Sequence, residues 1–121
     1  MNVEIKLIRD HGILDDERLV LNVLKDCNIG YYIVFDSTYS SDGELTNLVR
    51  HSYWFPDEKV SEGDIVVLYT KKGNQSTKRN KSGNSSHFFY QGMDKTIWNQ
   101  EKDCAVILEI NSWQSKGYSN N

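Results

Sequence analysis

The stretch "VSEGDIVVLYT", residues 60–70, decides the fold. Gly63 and Asp64 form a turn signal: glycine reaches backbone angles closed to other residues, and aspartate binds turn amides through its side chain. The residues that follow take the period of an extended strand. Ile65, Val67 and Tyr69 point one way, and Val66 and Leu68 point the other. β-Branched residues favour this geometry because they pack well on a pleated surface. Both faces are apolar, which predicts a central strand covered on both sides, or one with a side turned to a neighbouring loop.

A central strand needs partners, and the chain supplies them in both directions. Upstream, "VEIKLIR" (3–9) alternates Val3, Ile5 and Leu7 with Glu4, Lys6 and Ile8, as a half-buried strand does. "ERLVLNVL" (17–24) admits a short helix capped by Asp15 or Asp16, with Leu21 and Leu24 on one face. Its β-branched content and the turn after it favour a strand with Leu19, Leu21 and Val23 inward. "KDCNIG" (25–30) is a turn, and "YYIVFDSTY" (31–39) is a strand with Tyr31, Ile33 and Phe35 on one face. After the turn "SSDGE" (40–44), "LTNLVRHSYWF" (45–55) is a less regular strand or pair of strands. It ends at Pro56, the only proline, which has no donor for a central ladder. Downstream, "HFFYQG" (87–92), "KTIW" (95–98) and "DCAVILEI" (103–110) complete the set. Turn signals recur at short intervals and no long amphipathic helix is present. The pattern predicts an all-β sandwich or barrel forming a single domain over residues 1–121, with a frayed polar tail at about 115–121.

The totals agree. The chain has 121 residues, 38% of them hydrophobic, with three Trp and seven Tyr, enough for one core without a metal or a disulfide framework. A net charge of −3 argues against a dedicated nucleic-acid binder. Cys27 and Cys104 lack CxxC spacing, so reduced thiols are expected, with a Cys27–Cys104 bridge as the alternative. No signal peptide is visible at the N-terminus and no apolar run approaches a membrane span. The expectation is a cytoplasmic protein with no membrane partner.

Two segments in this order resemble the lamin tail domain. In "VSEGDIVVLYT" a glycine turn precedes a valine-rich strand, and a long polar loop follows. In "IWNQEKDCAVILEI" (97–110), Trp98 packs at the end of one strand, Asn99 to Lys102 turn the chain, and Asp103 starts the return strand. There Cys104, Val106 and Leu108 share one face, and Ala105 and Ile107 the other. The resemblance covers residues 60–110 well and residues 17–55 in outline. "GELTNLVRHSYWF" (43–55) departs from the family pattern, which has there a shorter strand ending near a Gly-Trp-x-Leu signal. The resemblance implies an immunoglobulin-like β-sandwich acting as an interaction module that engages proteins and, in some settings, nucleic acid.

Signals for chemistry are weak. His11, His51 and His87 have no zinc-site spacing and read as surface or turn residues. Asp36, Asp42, Asp57, Glu58, Glu62 and Asp64 form no calcium loop and read as solvated turn-makers. Asp64 and Asp103, at strand starts, are expected to accept turn amides. No nucleophile elbow or phosphate loop is present, and an apolar strand around Cys104 would raise its thiol pKa. No catalytic residue, metal ligand or cofactor is predicted.

Two features stand apart from the scaffold. "KKGNQSTKRNKSGNSSH" (71–87) carries Lys71, Lys72, Lys78, Arg79 and Lys81 and no acid, leaving nine basic against 17 acidic residues elsewhere. A polar loop of this length is either a flexible connection or a basic finger for an acidic protein or a phosphate backbone. Beside it, "HFFY" places Phe88 and Tyr90 opposite Phe89, as "YWF" places Tyr53 and Phe55 opposite Trp54. In each, one set enters the core and the other is free to form a partner patch. The predicted function is a non-enzymatic interaction module that binds a protein partner through residues 71–92. Its binding residues are Lys71, Lys72, Lys78, Arg79, Lys81, Phe88 and Tyr90. The alternatives are nucleic-acid binding through the basic loop, or a small enzyme whose site joins His51 or His87 to carboxylates only in three dimensions. Nothing in the sequence selects an oligomeric state.

Overall fold

A computed structural model describes residues 1–99 and 101–119. The chain forms β1 (Val3–Arg9), β2 (Arg18–Val23), β3 (Cys27–Asn28), a single 3-10 turn (Ile29–Tyr31), β4 (Tyr32–Thr38) and β5 (Arg50–Trp54). It continues with β6 (Lys59–Val60), β7 (Ile65–Tyr69), β8 (Ser76–Arg79), β9 (Ser85–Tyr90) and β10 (Asp103–Glu109). One sheet has five strands in the order β1-β2-β7-β9-β8, a second has three in the order β10-β4-β5, and β3 pairs with β6. β7 is central, as its two apolar faces predict, and runs parallel to β9 while every other strand pair is antiparallel. The molecule is all-β, with two principal sheets on one shared core, as in a β-sandwich.

The core follows the pleat. Val3, Leu19, Leu21, Val23, Val66, Leu68 and Phe89 project inward from the five-stranded sheet, and Tyr32 and Val34 from the three-stranded one. Burying each such side chain contributes about 1.5–3 kcal/mol. The sheets are joined by aromatic rings set edge to face. Phe55 lies 5.1 Å from Phe89 and 5.1 Å from Tyr53, each pair at 82°. β2 is a strand with Leu19, Leu21 and Val23 inward, as expected. Ala105 and Ile107 supply the core side of β10, while Leu108 is half exposed.

Several expectations need correction. Ile33 and Phe35 share a face of β4, as expected, but Tyr31 is not part of the strand, and the other face is the one that enters the core. That face carries Tyr32 and Val34, and Tyr31 sits in the 3-10 turn, 47% exposed. "KTIW" (95–98) is not a strand. Its chain is held instead by Glu17, whose fully buried carboxylate accepts from the amides of Ile97 at 3.0 Å and Trp98 at 3.3 Å. The same group accepts from the Gly12 amide at 2.8 Å and the Thr70 hydroxyl at 2.6 Å, tying three loops to the end of β7. Trp98 is buried, as a packing anchor should be. The expected loop over 71–87 contains a strand, β8, joined to β9 by a tight turn. Cys27 and Cys104 are both free thiols. The expected turn over 99–102 and the expected frayed tail lie partly outside the described residues.

Candidate interaction surface

The five-stranded sheet has one face on the core and one face outward. Inward parity goes to Val66, Leu68, His87 and Phe89, so Ile65, Val67, Tyr69, Ser86, Phe88 and Tyr90 face out. The register sets them in rows. Arg9, Arg18, Tyr69 and Tyr90 lie side by side across β1, β2, β7 and β9. Leu7, Val20, Val67 and Phe88 form the next row. Val20 and Val67 are buried although they lie on the outward face, because the longer side chains close over them.

The rings in these rows are stacked. Tyr69 and Tyr90 lie 5.3 Å apart and parallel to within 9°, and Tyr69 and Phe88 lie 6.4 Å apart at 27°. Strands are spaced about 4.8 Å apart, so parallel rings this close stand up from the sheet and turn their faces to each other. The Arg18 guanidinium lies 5.7 Å from the Tyr69 ring centre and the Lys71 ammonium 4.9 Å from it. Both distances suit cation–π attraction. Gly73 closes the far end of the row, packed so tightly on the Tyr90 ring that a β-carbon there would overlap it.

The predicted binding residues therefore fall into two groups. Phe88, Tyr90 and Lys71 come together on the outward face, joined by Tyr69 and Arg18, which the sequence reading missed. Their signal was available in parity: Tyr69 continues the Ile65–Val67 face, and Arg18 opposes it in the next strand. Lys72, Lys78, Arg79 and Lys81 are exposed along the β8 margin instead. Lys78 opposes Ser86 and so shares the outward face, whereas Arg79 opposes Ser85 and has inward parity. Among the described residues, none of these four nor Lys71 lies within ion-pair distance of a carboxylate. Arg18 differs, paired with Asp10 at 3.0 Å.

Of the three histidines, His11 is exposed in a turn and His51 is exposed on β5, as expected, and His87 departs from expectation. His87 is buried, its Nε2 2.8 Å from Asp64 and its Nδ1 3.3 Å from Glu58. Asp64 also accepts from the amides of Ser61 and Ser85, both at 2.9 Å, so its expected turn role holds, but it is buried rather than solvated. Burial works against ionisation of Asp64, but the His87 contact and those two amides outweigh it and hold the carboxyl below its usual range. Asp36 is not a solvated turn-maker. It is buried, with the Arg50 Nε at 3.0 Å and the His51 Nδ1 at 2.7 Å. A bulge between β4 and β5 makes this possible. It puts His51 at φ +49° and lets two successive side chains reach one carboxylate. Asp103 pairs with Arg50 at 3.1 Å. The two histidine–carboxylate contacts lie on different sheets and do not combine. Burial first, then the Asp103 charge, raises the Cys104 thiol pKa.

Two cavities lie elsewhere. One of about 480 Å³ is lined by Ile8, His11, Trp98, Asn99, Glu101 and Asp103, and one of about 350 Å³ lies beside β3 and β6. Neither includes a predicted binding residue, His51 or His87. The three-stranded sheet carries its own exposed aromatics. Trp113, beyond β10, meets Trp54 at 5.4 Å and Tyr31 at 6.0 Å. The two tryptophans meet edge to face at 88°, and Tyr31 is tilted at 55° to Trp113. Among the described residues no group of three or more His, Cys, Asp or Glu is placed to hold a metal ion, and no helix is long and apolar enough to cross a membrane. No protein-family model matches the chain, and no curated protein matches it either.

Proposed function

We propose that the protein is a non-enzymatic interaction module, an immunoglobulin-like β-sandwich related to lamin tail domains, that binds an acidic protein partner through residues 71–92. One observation carries the reading. Lys71, Lys72, Lys78, Arg79 and Lys81 have no carboxylate partner among the described residues, although the chain holds more acids than bases. Unpaired cations gathered on one side of an acidic protein set up a local positive field that draws an anionic surface. The aromatic row beside them gives that partner apolar contact. It also favours protein over single-stranded nucleic acid. Bases bind by stacking on free ring faces, and the faces of Tyr69 and Tyr90 are taken by each other, by Arg18 and Lys71, and by Gly73.

The test replaces Lys72, Lys78, Arg79 and Lys81 by Glu together, all exposed positions whose change leaves the core alone. Binding to poly-L-glutamate is measured by calorimetry across a salt series, with oligothymidylate as the comparison. The wild type is expected to bind the polypeptide more tightly as salt falls, and the variant to lose at least roughly tenfold in affinity. Equal binding by the two proteins overturns the reading. Tighter binding of the oligonucleotide by the wild type transfers it to nucleic acid.

A further inference from the structure

β8 ends the five-stranded sheet. It pairs with β9 on one side only, and all four of its residues are exposed. The hairpin geometry shows which backbone groups that leaves over. The Gly83 amide donates to the Asn80 carbonyl at 3.0 Å and the Asn80 amide to the Asn84 carbonyl at 2.8 Å, with Gly83 at φ +96°. Asn80 and Asn84 are thus a hydrogen-bonded pair at the end of the ladder. Bonded and non-bonded pairs alternate along antiparallel strands. From the register, Lys78 with Ser86 and Ser76 with Phe88 are bonded pairs, and Thr77 with His87 and Arg79 with Ser85 are not. Thr77 and Arg79 therefore turn their N–H and C=O groups away from β9, and no described residue bonds to them there.

An open edge of this kind is a template for another strand, and edge lysines are a common guard against unwanted pairing. Here the guard is selective. A second copy of the chain laid along β8 would bring Lys78 and Arg79 against the same cations. An acidic strand would neutralise them: a carboxylate on its outward face meets Lys78, and one on its inward face meets Arg79. Lys72 before the strand and Lys81 after it extend the same field along the line an added strand would take.

We propose that β8 is the docking edge for an extended acidic segment of the partner protein, which adds to the sheet as a further strand and bonds to the backbone of Thr77 and Arg79. This deepens the proposed function, on which it rests, by naming the shape of the partner and the atoms that hold it. Charge draws the segment in, and the backbone ladder sets its register.

The probe is a short synthetic peptide repeating Glu-Glu-Thr-Thr, which puts carboxylates on both faces of an extended strand, compared with the same peptide N-methylated at every central residue. N-methylation removes the amide donors and leaves the charge unchanged. On the protein side, Thr77→Pro removes one outward N–H and the Thr77 hydroxyl 3.4 Å from His87 Nδ1, while the backbone bonds to β9 remain, at a position where edge strands tolerate proline. The wild type is expected to bind the plain peptide and to bind the methylated one at least roughly tenfold more weakly. Thr77→Pro is expected to weaken plain-peptide binding to a similar degree with its thermal transition retained. If Thr77→Pro does not fold, the methylated peptide on the wild type decides alone. Equal binding of both peptides overturns strand addition. If the four-Glu variant still loses poly-L-glutamate binding, the broader function survives that result. If that variant binds both polymers like the wild type, the broader function fails as well. Dimerisation of the wild type that Thr77→Pro abolishes would assign the edge to a second copy, and the proposal would fall.

Discussion

Glu17 takes a carboxylate fully into the interior, and among the described residues no Lys, Arg or His lies within ion-pair distance of it. Four donors, three of them backbone amides, take the place of a cation. Glu17→Gln presents an amide donor to groups that are themselves donors. It should cost about 3 kcal/mol in urea unfolding, since hydrogen bonds to a charged group are lost and buried amides go unpaired. Asp64 permits a prediction in pH. Its folded pKa lies below the unfolded value near 3.9, so its contribution to stability is full above that value and is lost as pH falls through the folded one. Acid unfolding below about pH 4 should be shallower in Asp64→Asn than in the wild type, with lower stability at pH 7. Asp64 could be read from sequence because its turn is local. Glu17 could not, because the Ile97 and Trp98 amides arrive from the opposite end of the chain. The same holds for His87, whose partner Glu58 belongs to a distant segment.

At the level of the element, pleat parity was the most informative property of the sequence. It separates Val66 and Leu68 from Val67 and Tyr69, Phe89 from Phe88 and Tyr90, and Tyr53 and Phe55 from Trp54. It could not reveal β8. "STKR" has no apolar alternation because neither of its faces is buried. That strand exists because the Asn80–Asn84 turn folds it back onto β9, and this depends on pairing rather than on hydrophobicity. The 31–39 segment is apolar on both faces, so parity alone did not choose between them, and the Tyr32 hydroxyl, donating to Glu109 at 2.7 Å, belongs to the inward set. Gly73 offers a test of the connection between β7 and β8. Gly73→Ala pushes a methyl group into the Tyr90 ring and should destabilise the protein by about 1–3 kcal/mol, the usual range for overpacking. Near-ultraviolet circular dichroism should report the displaced Tyr69–Tyr90 stack. An unchanged spectrum with unchanged stability would mean that the loop does not rest on the ring in solution.

For the whole molecule, the all-β class and the central place of β7 followed from local pattern, and the strand order did not. Sequence carries no direct signal that β9 lies parallel to β7 or that β10 joins β4 in the other sheet. Those choices depend on which surfaces are left to cover once local hairpins form. The parallel pair has a consequence for how the chain reaches this shape. β8 and β9 are sequence neighbours and can close quickly as a hairpin, whereas β7 and β9 cannot meet through a tight turn. β9 therefore reaches β7 only through the longer excursion of chain that carries β8, and the Phe89–Phe55 contact between the two sheets depends on that docking. Long-range pairings of this kind are won late and slow the search for the native state. Until they are made, the edge of β7 that β9 covers in the finished sheet is open to any strand that reaches it first.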